Sequence, residues 1–536
     1  MRMAFVLAAA AAAFPSICGA QWSDDPAVNT AIADRSGEQV QAKIRARADG
    51  GCYISWFDNS TGGYDVYVQR LDAQGNELWA HNGVLVRDRG VSSTQDYDLE
   101  VDAAGFAFVV FNDDVNGNAP ITAQLIAPDG QLLWGATGVQ VSGAQTGFKG
   151  PPQATVLSNG TFAVVWSNGS PSALHVQKLD LLGAPVWPAP VVLSEASRPF
   201  NTSDIQAGEA GSMILSWVRC GGTNCVTSTK HLYAQKLSAA GAPMWDRDPG
   251  TPMSFEPMIV FDGTSLQTAN FPPFVSDGAG GAVFAWYETG GNRDAYVQRI
   301  HADGYELFDH NGVSVSTQVN RLQLGAALSF DASTGDAYVA WVESNSGQSQ
   351  WGLYAQKISD EGVRAWGENG VELLGLSGVQ GSFTATLARA GGGVDVFGFA
   401  NCCGNAGNVH GFALDADGAA VWPGQPVAVC SVASSKARIS AARGADGASL
   451  IAWSDNRADS NNVYAQRVNT DGTLGNGPVE ECAADFDGNG EVQVPDIFAF
   501  LSAWFAGDAS ADLDGTPGIG VPDIFAFLSL WFAGCP

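Results

Sequence analysis

The sequence predicts a mainly β fold, an eight-bladed propeller closed by its own N-terminal strand, followed by a small α-helical module. Three observations carry this prediction. A unit of about 55 residues recurs eight times, each copy keeps a six-residue step to a turn glycine, and residues 494–507 recur as 521–534 with one difference.

The recurring unit starts with a glycine turn and an apolar strand ending in an aromatic residue. These aromatics are Trp56, Phe111, Trp166, Trp217, Trp286, Trp341, Phe399 and Trp453, spaced 55, 55, 51, 69, 55, 58 and 54 residues apart. A polar loop follows, 11 to 18 residues from aromatic to glutamine, and then a strand reading Tyr-x-Gln-Arg/Lys in its fullest form. Its glutamine is Gln69, Gln124, Gln177, Gln235, Gln298, Gln356 or Gln466, with Phe412 standing in once. Six residues later comes Gly75, Gly130, Gly183, Gly241, Gly304, Gly362, Gly418 or Gly472, as a tight β-turn requires. Four further on lie Trp79, Trp134, Trp187, Trp245, Phe308, Trp366 and Trp422. A rigid sheet with variable loops on one side is the pattern of propeller blades, and a period near 55 is short for independent β-sandwiches.

The eighth unit stops after Gly472 without its Trp. Gln21-Trp22-Ser23-Asp24-Asp25-Pro26-Ala27-Val28 resembles Trp366-Gly367-Glu368-Asn369-Gly370-Val371, the missing piece. The N-terminal strand is therefore expected to complete the eighth blade and remove the open sheet edges.

Composition bounds the partners. The 536 residues suggest about three domains by length alone, but the repeats merge most of them into one ring. Hydrophobic residues make up 46%, enough for a large core, and charged residues only 15%. The 55 Asp and Glu against 26 Lys and Arg give a net charge of −29, which repels phosphate backbones and anionic membranes and favours cations. Arg2, the apolar run Ala4–Ala13 and the small-residue site Cys18-Gly19-Ala20 read as a secretory signal peptide over 1–20. No later stretch is long and apolar enough for a membrane span. The localisation expected is secreted or cell-surface associated, where eight remaining Cys favour disulfides. Cys220–Cys225 is a plausible local bridge, with Cys430 a partner for Cys402 or Cys403.

No catalytic constellation stands out. His81 and His310 sit in equivalent turns and read as turn residues. Acids recur two residues after the strand aromatic, at Asp58, Asp113, Glu288, Glu343 and Asp455; repetition in so many blades marks blade structure rather than an active site. A unique carboxylate pair in a pocket would instead mark a glycoside hydrolase.

After the Gly/Pro-containing linker 473–481 the character changes. The first acidic loop carries Asp485, Asp487, Asn489, Gly490, Glu491 and Asp496 at positions 1, 3, 5, 6, 7 and 12 of an EF-hand-type Ca²⁺ loop. The second carries Asp512, Asp514, Thr516, Pro517, Gly518 and Asp523 at the same positions. Pro517 cannot take the positive φ that position 6 prefers, so two Ca²⁺ sites are expected, the second weaker or differently shaped. Ile497, Phe500, Leu501, Trp504 and Phe505, and their copies Ile524, Phe527, Leu528, Trp531 and Phe532, form the stripes on which two helices pack. Phe498 and Phe525 fall off the stripe and are candidates for a partner surface.

Residues 482–536 resemble a type I dockerin, in the variant that ends in Gly-Cys in exported planctomycete proteins. The resemblance covers about a tenth of the chain. It implies a Cys482–Cys535 clasp and Ca²⁺-dependent docking to a cohesin, often in polysaccharide-degrading assemblies. Loop positions 10 and 11, which help choose the cohesin, are Val494-Pro495 and Val521-Pro522 instead of the usual hydroxyl pair, leaving open a cohesin-like or other cell-surface receptor. The propeller repeats, 21–472, are similar to those of uncharacterised exported bacterial β-propellers, a resemblance that carries no activity. The function expected is a binding or scaffold-associated propeller with a carbohydrate ligand and no nucleic acid. A dockerin-borne glycoside hydrolase or lyase is the rival reading, and a structural spacer the third.

Overall fold

The computed structural model describes residues 21–533, apart from 115–118, 144–148, 170–171, 196–198, 248–255, 268–270, 291–292, 379–380, 402–404, 477–482, 488–491, 515 and 517, and the side chains of 201–203, 383 and 533. The signal-peptide segment, Cys482 and Cys535 lie outside the described residues. Two compact units emerge, Met1–Gly475 and Asn476–Pro536.

The first unit is an eight-bladed β-propeller. Its strands form eight four-stranded antiparallel sheets, each built from successive strands in seven of them. The first blade, for example, runs Gln39–Ala46, Cys52–Asp58, Asp65–Leu71 and Val84–Arg87. The first strand of every blade touches the first strand of the next, and that of the eighth touches that of the first, so these strands surround one axis. Central strands such as Cys52–Asp58 and Ser449–Asp455 are buried along their whole length, because both sheet faces pack on neighbouring blades.

The eighth blade consists of Lys436–Arg443, Ser449–Asp455 and Asn462–Val468, completed by the N-terminal strand Thr30–Ala33. Thr30 pairs with Ala465 and Ala31 with Tyr464. The closing strand begins slightly later than the resemblance to the Trp366 segment suggests. A turn closed by the bond from Val28 N to Asp25 O (3.0 Å) intervenes, and Asn29, at φ +50°, redirects the chain. The Asn29 amide then donates to Val429 O and Gln466 Oε1, both at 2.8 Å, anchoring the strand.

The Trp that follows the turn glycine in six blades staples one blade to the next; in the fifth blade Phe308 stands in its place and has no N–H to donate. Trp79, Trp134, Trp187, Trp245, Trp366 and Trp422 donate their indole N–H to Pro128, Leu181, Ala239, Ala302, Ala416 and Thr470 carbonyls at 2.9–3.3 Å. Each acceptor lies two residues before the turn glycine of the following blade. Trp22 donates in the same way to Ala73 O at 3.1 Å and so carries the pattern from the eighth blade to the first. The turn glycine is needed twice over. Gly472 has φ +89°, and a Cβ there would come within 2.6–3.0 Å of Trp422.

The repeated glutamines are buried and satisfy backbone groups, chiefly of their own blade. Gln124 accepts from Leu125 N and Trp134 N and donates to Gly135 O. Where Phe412 replaces the glutamine, Gln425 Oε1 accepts from Ala413 N (3.0 Å) and supplies the lost acceptor. Cys220 and Cys225 form a disulfide across the long loop of the fourth blade, with Cα atoms 5.2 Å apart. Cys52 and Cys430 are buried free thiols, and Cys402 and Cys403 lie outside the described residues.

The second unit holds helices α1 (Val494–Ala506) and α2 (Val521–Ala533). Phe500 and Phe527, both fully buried, stack at 4.2 Å with their rings 2° from parallel, and Phe486 packs edge-on against both. Among the described residues no helix is long and apolar enough to cross a membrane.

Candidate functional site

The repeated acids of the propeller are occupied by partners in their own blade or in the segment that precedes it. Asp58 pairs with Arg35 at 3.3 Å and Asp113 with Arg87 at 2.9 Å. Glu288 accepts from Thr264 Oγ1 (2.6 Å), and Glu343 from the indole of Trp341 (3.2 Å). Asp455 is fully buried between Lys436 (2.9 Å) and Arg457 (2.6 Å). These carboxylates hold blade ends together and do not form a shared cation ring. His81 bridges Glu77 and Asp34, and His310 bridges Glu306 and Asp262, so both clamp turns to neighbouring segments.

The two acidic loops of the C-terminal unit behave differently. Residues 476–536 contain ten Asp and Glu and no Lys or Arg, so about a tenth of the chain carries a third of its net charge with no internal counterion. Asp485, Asp487 and Asp496 each bring one carboxylate oxygen within 4.8 Å of the other two, and Asp512, Asp514 and Asp523 do the same. Asn489 and Glu491 lie outside the described residues.

The two loops are built alike around their last carboxylate. Asp496 Oδ1 accepts from Asp487 N (3.0 Å) and Oδ2 from Gln493 N (2.7 Å). Asp523 Oδ1 accepts from Leu513 N and Asp514 N (2.9 and 3.1 Å), and Oδ2 from Gly520 N (2.7 Å). Both side chains are buried at the first turn of their helices, so each folds its loop over a helix N-terminus. The Gly520 amide and its neighbours hold the Asp523 carboxyl below the usual carboxylate range. Burial works to raise Asp496, but the amides of Gln493 and Asp487 outweigh it and keep that carboxyl ionised.

The donor set fits Ca²⁺. Oxygens around one Ca²⁺ lie at most about 5 Å apart, twice a Ca–O distance of roughly 2.5 Å, and both carboxylate triads satisfy this. In the second loop Asp512 Oδ1 is buried without a hydrogen-bond partner, a costly state for a carboxylate oxygen that a cation would relieve. Thr516 is turned toward its own loop, its N–H and hydroxyl both donating to Asp514 Oδ1 (2.8 and 2.7 Å). Gly518 takes φ +106° one residue after Pro517, so the loop makes its left-handed turn at position 7 instead of 6.

A reciprocal pair of bonds couples the loops. The Trp504 indole donates to Gly520 O (2.8 Å) and that of Trp531 to Gln493 O (3.1 Å), each helix reaching the residue that precedes the other. Of the candidate partner residues, Phe498 and Phe525 are both 65% exposed, and Val494 and Val521 are also exposed. Pro495 and Pro522 stand at the second position of each helix.

Phe505 and Phe532 depart from the packed stripe expected of them: they are 78% and 77% exposed. At about 100° per residue, a position eight beyond Ile497 is rotated about 80° from it and only about 20° from Phe498. Phe498 with Phe505, and Phe525 with Phe532, thus extend one apolar strip on each helix. Helical-wheel arithmetic on the sequence contains this signal.

No family model matches the chain, and no curated protein does. Solved structures similar in part include the Dos1 propeller (9% identity, 81% of this chain and 94% of that one, TM-score 0.45) and the polysaccharide lyase Uly1 (10%, 83% and 92%, TM-score 0.41). Another is an α-L-arabinanase of Penicillium chrysogenum complexed with arabinobiose (12%, 62% and 98%, TM-score 0.36). At such scores these likenesses assign no activity.

Proposed function

We propose that the C-terminal unit is a dockerin-like, Ca²⁺-dependent docking module, and that it tethers an exported β-propeller whose loop-bearing face binds ligand. The observation that carries this reading is the doubled loop: two carboxylate triads, each spanning no more than 4.8 Å, on a unit without a single basic residue. Asp485, Asp487 and Asp496 would hold one ion, and Asp512, Asp514 and Asp523 the other. Bound Ca²⁺ would neutralise the loops and fix the N-termini of α1 and α2. The apolar strips led by Phe498 and Phe525 would then be presented, with Val494, Pro495, Val521 and Pro522, to a cohesin-like or other surface receptor. Docking is tested by retention of the full chain on the cell-envelope fraction of the producing organism. Retention in Ca²⁺ that is lost in EGTA, and lost with Phe498→Ala plus Phe525→Ala, is expected. Equal retention in EGTA rules the reading out.

A further inference from the structure

We propose that one mouth of the propeller's axial channel is a binding site for the end of a neutral oligosaccharide. This deepens the reading of the propeller as a binding unit and does not depend on the C-terminal module. Three adjoining cavities of about 220, 280 and 210 Å³ share Asp96 and open where the first strands of several blades begin. Together they fall in the usual range of about 300–1,000 Å³ for small-molecule sites.

Much of the lining comes from one repeat position, fifteen residues before the strand aromatic, where the blades carry different residues: Gln41, Asp96, Pro151, Phe271 and Arg438. Gln41 sits on a bulge of the first blade's inner strand at φ +58°, its carbonyl held by the Tyr97 hydroxyl (2.9 Å). Its side-chain Oε1 and that of Gln95 are buried without hydrogen-bond partners, an arrangement that a ligand's donors would relieve. Asp96, held by Lys43 Nζ at 3.2 Å, and Asp204 add carboxyl groups to the same wall. The same cavity is lined by Trp217, which is buried, and by Phe271, 49% exposed and therefore free to present its ring.

A ligand must then offer several hydroxyl or N–H donors along one edge and C–H groups on a face. Lys43 and the exposed Arg438 disfavour an ammonium ligand. The acidic neighbours and the net charge of −29 disfavour a polyanion. A neutral sugar ring meets all of these conditions. Burial and the nearby Asp98 and Asp96, against Lys43 and Arg45, push the Asp204 carboxyl up to about 7. Below that pH it also offers a donor to a ring or hydroxyl oxygen.

The test is calorimetric titration of the full chain at pH 6 with cellohexaose, xylohexaose, mannohexaose, arabinohexaose and, as an acidic control, hexagalacturonate. At least one neutral hexaose should bind, and hexagalacturonate at least tenfold more weakly. Phe271→Ala and Gln95→Leu should each weaken binding about tenfold or more, with melting temperature unchanged. Leu182→Ala, at an 84% exposed turn position outside the cavity, should leave it intact. Binding unaffected by both cavity variants would overturn this site while leaving a binding propeller elsewhere. Preference for hexagalacturonate, or no binding by any neutral hexaose, would overturn the ligand class.

Discussion

Both units of this chain are duplications stapled by indole N–H to carbonyl bonds, yet the staples run differently. In the propeller they all point one way around the ring, from Trp79 to Pro128 and onward, interrupted where Phe308 replaces the Trp, and the link from the eighth blade to the first needs Trp22 from the other end of the chain. In the C-terminal unit they are reciprocal, Trp504 to Gly520 and Trp531 to Gln493, so two copies suffice. A directed pattern closes only when its count matches the geometry, whereas a reciprocal pair closes on itself. Repetition therefore means different things in the two places. In the ring, repeated glycines, tryptophans, glutamines and acids maintain blades, and ligand-competent groups gather where the copies differ. In the two-fold unit the repeated residues are themselves the candidate site.

The ring is most vulnerable at its seam. A chain beginning at Gly37 lacks both Trp22 and the strand Thr30–Ala33, and exposes Asn462–Val468 as an edge. It should lose cooperative thermal unfolding, as read by calorimetry; a melting curve like that of the intact chain would show the seam to be dispensable. Next in size is Gly472→Ala, which combines a φ of +89° with a Cβ 2.6 Å from Trp422. A destabilisation of about 2–4 kcal/mol in denaturant is expected. Gly367→Ala also takes positive φ but meets nothing within 4 Å, and should cost about 1 kcal/mol, separating strain from collision.

Smaller again is Trp504→Phe, which keeps a ring but removes the bond to Gly520 O. It should cost about 1 kcal/mol and weaken Ca²⁺ binding in the second loop more than in the first. Identical loss at both loops would show that the staple does not act locally.

The smallest effect concerns pH. Carboxylates raise the pKa of His310 and, against the opposing effect of burial, of His81. Because both folded values lie above the unfolded one, their stabilisation is complete below about pH 6.5 and is lost as pH rises through the folded values. Both pairs are largely solvent-exposed, so the double variant His81→Gln, His310→Gln should shift the melting temperature by about a degree or less at pH 6 and not at pH 9.

Much of the ring was legible because turn geometry fixes residue spacing: a positive-φ glycine six residues after a strand glutamine leaves little latitude. The role of the following Trp was not, since an indole reaching the next blade leaves no mark within its own repeat. The closing strand was placed close to its register but short of it, because the turn ending at Asn29 is longer than its counterparts, which close at Gly83, Gly138 and Gly312. In the C-terminal unit the acidic loops were legible from their spacing, whereas the exposure of Phe505 required rotation around the helix to be followed to its second turn. The channel mouth shows only when the repeats are aligned ahead of the strand aromatic, a segment whose residue types are not repeated. Gln41, Asp96, Phe271 and Arg438 each stand fifteen residues before their strand aromatic, and Asp204 thirteen before its own, so the repeat aligns them; their residue types differ from copy to copy, and only the closed ring brings them together.

The proposed docking role rests on the acidic loops binding Ca²⁺. Calorimetric titration of the full, decalcified chain with Ca²⁺ tests it most directly. Two ions per chain are predicted, one tighter than the other, with Asp485→Ala plus Asp496→Ala removing one and Asp523→Ala the other. No Ca²⁺ uptake at millimolar concentrations, or uptake unchanged in these variants, would contradict it.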